Sequence, residues 1–305
     1  METEETNIRK IIDKLICVPI IVGLIFNTIS LVVFSRKTFQ NTIFSTFFRC
    51  LCVSDIITLL FRIEYLFNYE VADFRSNSIH LCKIIYYFVY MIPSFSIWVL
   101  VVISIDRFLS IVYPTRFLFR KLKRNQILAL FLVFIFQSIY WLPVPFLAYI
   151  SINNGTTNET VSYYCEYGTI TVDIMDLFYS SLFPLFLMFI STSLTLKTIF
   201  RSRMKSQNNH QQQNQSAIKP KDIKFAISSI SLNVFFFIFN IPLTVYSLIH
   251  NFFKLESEFK ELLYSVCELL FHVNYSTLFF VSYYFNSIFR KEFLRLIKEL
   301  KSKLF

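Results

Sequence analysis

Seven long apolar runs, separated by shorter polar segments, dominate the pattern of the chain. Each run is near or above the roughly 20 residues that an α-helix needs to cross a hydrocarbon core of about 30 Å. None shows the strict apolar–polar alternation of a transmembrane β-barrel strand. The pattern therefore predicts an all-α membrane protein. The runs are Ile16–Phe34, Ile43–Phe67, Leu81–Val112, Ile127–Ile150, Val172–Phe200, Phe225–Ile249 and Leu262–Phe285.

The composition agrees with a membrane protein and gives no sign of an enzyme. Of the 305 residues, 55% are hydrophobic and only 16% are charged, whereas soluble domains carry about 25% charged residues. The sequence has no nucleophile–base constellation, no metal-binding cluster and no phosphate-binding loop, and its four histidines are scattered. We therefore expect no catalytic activity.

Basic residues are concentrated in alternate segments between the runs, and this sets the expected orientation. They follow the first, third, fifth and seventh runs, whereas residues 150–171 contain neither Lys nor Arg. The positive-inside rule then places the N-terminus outside the cell and the C-terminus in the cytoplasm. Because the charges flank predicted spans, they indicate contact with anionic lipids rather than nucleic acid. Two glycosylation sequons, at Asn154 and Asn158, lie on the predicted outer side.

The chain divides into three parts. Residues 1–15 are predicted to be an extracellular N-terminus, and residues 16–286 a helix bundle. Within the bundle, residues 204–219 are polar and lack apolar periodicity, so a flexible cytoplasmic loop is expected. Residues 287–305 alternate bases with large apolar side chains, which predicts an amphipathic helix at the membrane interface and a short cytoplasmic tail.

The end of the third run carries the most specific motif, SIDRFLSIVYP. It places Asp106 and Arg107 where the run meets water, 25 residues after Cys82. A helix of that length extends roughly 37 Å, so Cys82 and Arg107 should lie on opposite sides of the membrane. By itself, the acid–base pair is explained equally well as an ordinary interfacial ion pair.

Together with positions in the other runs, this motif resembles the rhodopsin-like G-protein-coupled receptors, in which the third helix ends in Asp-Arg-Tyr. The resemblance extends over nearly the whole chain. It implies a seven-transmembrane helix bundle with a short amphipathic eighth helix, located in the plasma membrane, which binds an extracellular ligand and activates a heterotrimeric G protein. The matching positions are Asn27, Asp55, Cys82, Asp106, Arg107, Cys165, Pro184, Pro242 and Phe289.

The resemblance assigns roles to several of these positions. It implies a disulfide between Cys82 and Cys165. It implies a latch, in which Asp222 pairs with Arg107 and holds the inactive state; alternatively, Asp222 is a solvated charge among neighbouring lysines. Two prolines inside predicted spans free backbone carbonyls and are expected helix pivots. They are Pro184 and Pro242.

One polar set implies an ion site. A carboxylate near the middle of a span is costly, so Asp55 is a functional candidate. The resemblance adds Asn27, Ser96 and Asn274, and oxygen ligands suit a small hard cation. No cofactor is expected; the resemblance allows one exception, an allosteric sodium ion at Asp55. For Asn27 a hydrogen bond that only joins two helices is the alternative.

Departures from the family pattern leave other functions open. Asn240 stands where a switch tryptophan is usual, Thr192 replaces a tyrosine, and Leu278 to Ser282 replace the Asn-Pro-x-x-Tyr motif. A receptor-like protein that does not signal therefore remains an alternative. So does a helical transporter or channel with Asp55 and Arg62 as pathway charges, although the two halves show no repeat.

The predicted outer mouth indicates the kind of ligand. The family's amine-binding aspartate is replaced by Val89, and no lysine is available in the seventh run to bind retinal. Carboxylates in an aromatic-lined cavity suit a cationic ligand, so we expect a small basic neuropeptide. The alternative is that the acids face water or pair with Arg62. The expected pocket residues are Glu64, Tyr90, Asp173, Asp176, Glu268 and His272.

Overall fold

The computed structural model of the protein describes residues 2–40, 43–62, 78–112, 123–153, 162–167, 170–208, 220–252 and 257–304. Helices account for most of these residues. They are α1 (Glu2–Phe34), α2 (Lys37–Gln40), α3 (Ile43–Leu60), α4 (Ile79–Val112), α5 (Lys123–Tyr140), α6 (Val144–Leu147), α7 (Ile170–Asp176), α8 (Phe183–Asn208), α9 (Pro220–Phe252), α10 (Ser257–Ser276), α11 (Leu278–Phe285) and α12 (Ser287–Leu304), with a π-helical segment, Leu177–Leu182, between α7 and α8.

Five helical spans among the described residues are long and apolar enough to cross a membrane. The two other predicted runs correspond to α3 and to the pair α10–α11. The 18-residue α3 contains Arg49 and Asp55, and the last run is broken at Thr277. The five spans are Lys14–Phe34, Ile79–Val112, Arg124–Leu147, Thr171–Arg201 and Ala226–Ser247.

The break at Thr277 arises from side chains that bond to the backbone of the preceding turn. Thr277 Oγ1 donates to the carbonyl oxygen of Asn274 at 2.8 Å, and Ser276 Oγ donates to that of Val273 at 2.8 Å. Such local bonds compete with a regular helix and bend it. They interrupt this run without a proline.

The core is aromatic where α1, α3 and α12 meet. Phe34 stacks on Phe48 at a ring-centroid distance of 5.0 Å and contacts Phe289 at 4.9 Å. Three turns earlier in α1, a Cβ added at Gly23 would lie 2.5 Å from Leu59 Cδ1. The helices α1 and α3 therefore approach each other so closely at this point that only glycine fits without rearrangement.

The amphipathic helix α12 begins at the residue that the sequence predicts. Asn286 caps it, because its Oδ1 accepts hydrogen bonds from the backbone N–H groups of Ile288 and Phe289 at 3.1 and 3.3 Å. Phe289 is fully buried, whereas Leu300 is about half exposed. The helix therefore packs one face on the bundle and leaves apolar side chains outside it.

Two expected boundaries were wrong. The fourth run was expected to be helical to Ile150, but α5 ends at Tyr140 because Pro143 disfavours helical backbone at the residue before it and cannot continue a regular helix. The chain then forms β1 (Ala148–Asn153), which pairs antiparallel with β2 (Ser162–Tyr167).

The other boundary lies at a helix end. Residues 204–208, expected in a loop, extend α8 to Asn208, since they contain neither Gly nor Pro. The helix α1 begins at Glu2, and the extracellular location of residues 1–15 stays a prediction. Residues 209–219 lie outside the described residues.

Candidate functional site

One end of α4 carries the predicted Asp106–Arg107 pair, and the structure buries both side chains. Arg107 is 3% exposed and Asp106 is 7% exposed, and Arg107 Nη2 donates to Asp106 Oδ2 at 2.5 Å. An ordinary interfacial ion pair would lie in water, so this pair is embedded in the bundle instead. We refer to this end as the Arg107 end and to the opposite one as the Cys82 end.

Some of the predicted residues lie where the structure cannot test them. Glu64, Asn154 and Asn158 are outside the described residues. Asp222 belongs to α9 and Cys165 to β2, but their side chains are outside the described atoms. Cys82 is disulfide-bonded, but its pairing with Cys165 remains a prediction, as does the Arg107–Asp222 latch.

In the middle of the bundle, three of the four predicted ion-site residues surround one small cavity. Asp55, Ser96 and Asn274 line it together with Tyr275. Ser96 Oγ donates to Asp55 Oδ1 at 2.5 Å. Asn27 is placed differently, since its Nδ2 donates to the backbone oxygen of Tyr275 at 2.8 Å and so joins α1 to α10. This contact matches the alternative role for Asn27.

The donors around this cavity fit a small hard cation. The cavity measures about 20 Å³, room for one water-sized particle. Its polar lining combines a carboxylate, a hydroxyl and an amide with the buried hydroxyl of Tyr275, which has no hydrogen-bond partner among the described residues. Oxygen ligands are those that hard cations prefer. A sodium ion would be held by Asp55, Ser96, Asn274 and Tyr275, and would supply charge compensation for the carboxylate.

A larger cavity opens at the Cys82 end. It measures about 110 Å³ and lies between Arg62, just after α3, and the helical segments α4, α7, the π-helical segment, α9 and α10. Four of the six predicted pocket residues line it: Tyr90, Asp173, Asp176 and Glu268.

One acid in this cavity already has a cationic partner. Arg62 Nη1 lies 3.3 Å from Glu268 Oε1, and the Arg62 guanidinium lies 6.0 Å from the centre of the Phe271 ring. The sequence left open the alternative that acids of this region pair with Arg62 instead of a ligand. For Glu268 the structure shows this pairing. Among the described lining residues Arg62 is the one base and there are three acids, so the cavity has a negative formal charge.

His272 was also expected in this pocket. Its side chain is completely buried in α10 and is not among the described residues that line the cavity. Its Nδ1 lies 2.7 Å from the backbone oxygen of Glu268, one turn earlier on the same helix. A role of His272 in ligand binding therefore stays a prediction.

A buried polar network beside the cavity was missed from the sequence. Gln137 of α5 accepts a hydrogen bond from Ser94 Oγ at 2.9 Å and donates to Tyr179 Oη at 2.9 Å. Ser180 Oγ donates to Ser94 Oγ at 3.0 Å, which joins α4, α5 and the π-helical segment. The sequence did contain a signal for this network, because Gln137 lies inside the fourth apolar run. A side-chain amide is costly in a membrane unless its hydrogen bonds are made.

The π-helical segment turns two serines toward the bundle interior. Ser180 and Ser181 are both buried, although they are neighbours. A wider turn inside a helix is frequent at functional sites, and Pro184 just beyond it cannot donate a backbone hydrogen bond to the preceding turn. Ser181 Oγ lies 2.7 Å from Thr244 Oγ1, and Asn240 Nδ2 donates to Ser181 at 3.4 Å. Asn240 thus contacts the cavity wall where the family usually has a tryptophan.

Long apolar helices, a cavity at one end and a buried acid–arginine pair at the other fit a polytopic membrane protein. Residues 27–277 match the sequence profile of the 7 transmembrane receptor (rhodopsin family). The chain therefore belongs to the rhodopsin family of seven-transmembrane receptors. This is a family of plasma-membrane receptors that bind extracellular ligands and act through G proteins, and it is not a family of enzymes.

Two curated relatives are named for different ligands. The galanin-like G-protein-coupled receptor npr-9 of Caenorhabditis elegans is 27% identical over 140 residues, which are 46% of this chain and 32% of the relative. The lysophosphatidic acid receptor 6 of Gallus gallus is 27% identical over 244 residues, 76% of this chain and 74% of the relative. The first match thus spans about a third of that relative's length. Both relatives confirm the class of protein that the resemblance indicated.

Proposed function

We propose that the protein is a receptor for a small basic peptide and that it activates a heterotrimeric G protein. The observation that carries this proposal is the negative formal charge of the cavity at the Cys82 end. Arg62 offsets Glu268, and the carboxylates of Asp173 and Asp176 give the lining its net negative formal charge. Carboxylates in a partly desolvated site form strong charge-assisted hydrogen bonds with guanidinium and ammonium groups. Tyr90 adds an aromatic face for a cation.

The two relatives suggest different ligands, and the charge of the cavity favours one of them. The galanin-like receptor supports a peptide. An anionic lipid of the lysophosphatidic acid kind would meet the carboxylates of Asp173 and Asp176 and would have to displace Glu268 from Arg62. Burying like charges together is unfavourable in a medium of low dielectric constant. A basic ligand avoids that cost.

In the proposed orientation the Cys82 end faces outward. The β1–β2 hairpin then lies on the extracellular side, where a Cys82–Cys165 disulfide would be stable and Asn154 and Asn158 would be glycosylated. The basic face of α12 would lie on the anionic inner leaflet.

The proposed mechanism is a population shift. Agonist favours a state in which α9 turns about Pro242 and Arg107 leaves Asp222, and the cleft that opens at the Arg107 end admits a helix of the G protein. The substitutions at Asn240 and Thr192 change how the helices are held together but leave this motion available, since Pro242 lies within α9. Sodium bound at Asp55 would favour the resting state.

The experiment measures G-protein dissociation by energy transfer in cells that express the receptor. A library of amidated basic peptides would be compared with the same library carrying citrulline and acetyl-lysine in place of Arg and Lys. We expect activity in the basic library alone, and a loss of at least about tenfold in potency for Asp176→Asn, as for a charge-assisted hydrogen bond. Ser247→Ala, which changes a lining residue without changing charge, is the control.

Two outcomes would contradict the proposal. One is equal activation by basic and neutral peptides; the other is activation by lysophosphatidic acid that Asp176→Asn leaves unchanged or improves. The latch is tested in the same cells without ligand. Asp222→Asn should raise basal output and Arg107→Ala should abolish it, at matched surface expression.

A further inference from the structure

Three polar side chains connect three helices in the Arg107 half of the bundle. Asn233 Nδ2 of α9 donates to Ser104 Oγ of α4 at 2.8 Å and to Thr192 Oγ1 of α8 at 2.9 Å. The two N–H groups of one amide therefore bond two different helices. Asn233 is 1% exposed and Ser104 is 3% exposed. We name this set, Ser104, Thr192 and Asn233, the polar bridge.

Several buried residues on the three helices of the polar bridge are apolar, so the amide is not there for packing alone. Leu100, Met188, Leu232 and Phe236 are buried residues of the core cluster on the same three helices. A leucine would fill similar space, whereas an amide in this position is costly unless its hydrogen bonds are made. Asn233 is therefore compatible with the core only while α9 stays against α4 and α8.

The polar bridge lies where a turn of α9 about Pro242 would break it. Asn233 precedes Pro242 by nine residues, which is about 13 Å along a helix. A change of about 20° at a proline kink would move Asn233 by more than about 4 Å. Hydrogen bonds do not survive such a displacement. Ser104 itself lies three residues before Arg107, so the bridge spans the helices at the base of the proposed cleft.

We propose that the polar bridge holds α9 in the resting position and that Asn233 is the positioning residue that sets the fraction of open receptor. The inference rests on the proposed function, because it concerns the motion that admits the G protein. It also gives Thr192 a role at the position where the family usually has a tyrosine. The Arg107–Asp106 contact lies within α4 and does not connect it to α9; the polar bridge does.

The experiment measures the position of α9 directly, on full-length receptor in lipid nanodiscs. Nitroxide labels on genetically encoded keto amino acids at Ile227 of α9 and Lys301 of α12, both exposed, give a distance distribution by pulsed electron resonance and avoid labelling the native cysteines. Basal G-protein output is recorded for the same variants. The variants are Asn233→Leu, Ser104→Ala, Thr192→Val and Thr192→Ser.

The expected changes follow from the number of bonds removed. Hydrogen bonds between membrane helices each shift an equilibrium by about threefold, so Thr192→Val should raise the open-to-closed ratio about threefold. Ser104→Ala should raise it at least about threefold and Asn233→Leu at least about eightfold, because Ser104 Oγ also donates to Asn233 Oδ1 at 3.1 Å. Thr192→Ser keeps the hydroxyl and should match wild type. Ser228→Ala is the matched control, because Ser228 is buried on the same helix and its hydroxyl has no partner among the described residues.

Three results would overturn the proposal: an unchanged open fraction in Asn233→Leu, a decreased one, or a change in Ser228→Ala as large as in Ser104→Ala. If Asn233→Leu does not fold, Ser104→Ala and Thr192→Val decide, since each leaves one amide bond in place. A shift of α9 without any G-protein output supports the polar bridge and contradicts the proposed function. The failure of the bridge and the failure of the function are therefore distinguishable.

Discussion

Removal of the Glu292 carboxylate should release α12 from the bundle. Glu292 is buried, with a side chain 6% exposed, and three groups donate to it. Arg36 Nε lies 2.9 Å from Oε2, while Thr38 Oγ1 and Arg295 Nη1 lie 3.0 and 2.8 Å from Oε1. Arg36 also contacts Glu299 at 2.5 Å, but Glu299 is 49% exposed. The turn between α1 and α2 is thus held to α12 through one buried acid and one solvated acid.

Glu292 should contribute much more than Glu299 to the free energy that holds α12 to the bundle. Breaking a fully buried ion pair costs about 3–5 kcal/mol. Arg36 remains 21% exposed and keeps Glu299, so we expect about 2 kcal/mol for Glu292→Ala after allowance for solvent. Glu299→Ala removes an exposed contact and should cost less than about 1 kcal/mol.

Hydrogen–deuterium exchange of residues 287–304 in nanodiscs measures this difference. A loss of about 2 kcal/mol in local opening free energy corresponds to roughly 30-fold faster exchange of α12 amides. Glu299→Ala is the matched control, because it removes the same functional group from the same helix. Exchange of Glu292→Ala at the wild-type rate, or faster exchange in Glu299→Ala than in Glu292→Ala, would refute the reasoning.

The pH dependence of this attachment follows from Arg36. Its hydrogen bond to Glu299 raises the pKa of the Arg36 guanidinium above its usual value. A raised pKa stabilises the folded state fully at any pH below the unfolded pKa, and the effect disappears only as pH rises through the folded value; for a guanidinium both lie far above neutral pH. The contribution of Arg36 to α12 protection should therefore be constant from about pH 6 to pH 9, after correction for intrinsic exchange.

Three further predictions concern the bundle interior. Gly23→Val should lower the free energy of unfolding by about 1–3 kcal/mol, because its Cβ would overlap Leu59; an unchanged melting temperature in detergent would contradict the close approach. Gln137→Leu should cost about 1–3 kcal/mol by leaving buried hydroxyls unpaired, and a stabilised variant would show that they find other partners. Sodium chloride should raise the melting temperature of wild type above that in choline chloride but not that of Asp55→Asn; an equal rise in both would exclude Asp55 as a ligand.

Hydropathy and family resemblance together predicted the elements that depend on long patterns. The apolar runs gave the positions of the spanning helices, and the alternation of bases with Phe289 and Leu300 gave α12. The resemblance placed Asp55 beside Ser96, which the structure joins by a hydrogen bond. Such features depend on many residues at once, so they remain recognisable in the sequence even where single positions depart from the pattern.

Features that depend on one or two local bonds could not be predicted in this way. The fourth run keeps its apolar character past Tyr140, so hydropathy did not show that Pro143 ends α5. The hydroxyl of Thr277 breaks the last run through a bond to its own backbone, which leaves the average hydropathy unchanged. The hydrogen-bond partners of Gln137 and Asn233 depend on how each helix is rotated about its axis in the bundle. That rotation cannot be inferred from the hydropathy of a single sequence.

The helix α4 connects all of these sites. Along its length it presents Tyr90 to the ligand cavity, Ser94 to α5, Ser96 to Asp55 on α3, and Ser104 to Asn233 on α9, before it reaches Arg107. Ser94 and Arg107 are thirteen residues apart, about 20 Å along one continuous helix. A helix held by hydrogen bonds on several sides resists displacement, whereas the described hydrogen bonds of α9 to α4 near the Arg107 end are made by Asn233. We therefore expect α9 to be the helix that moves, and the bonds of Asn233 to contribute to the energy that resists its motion.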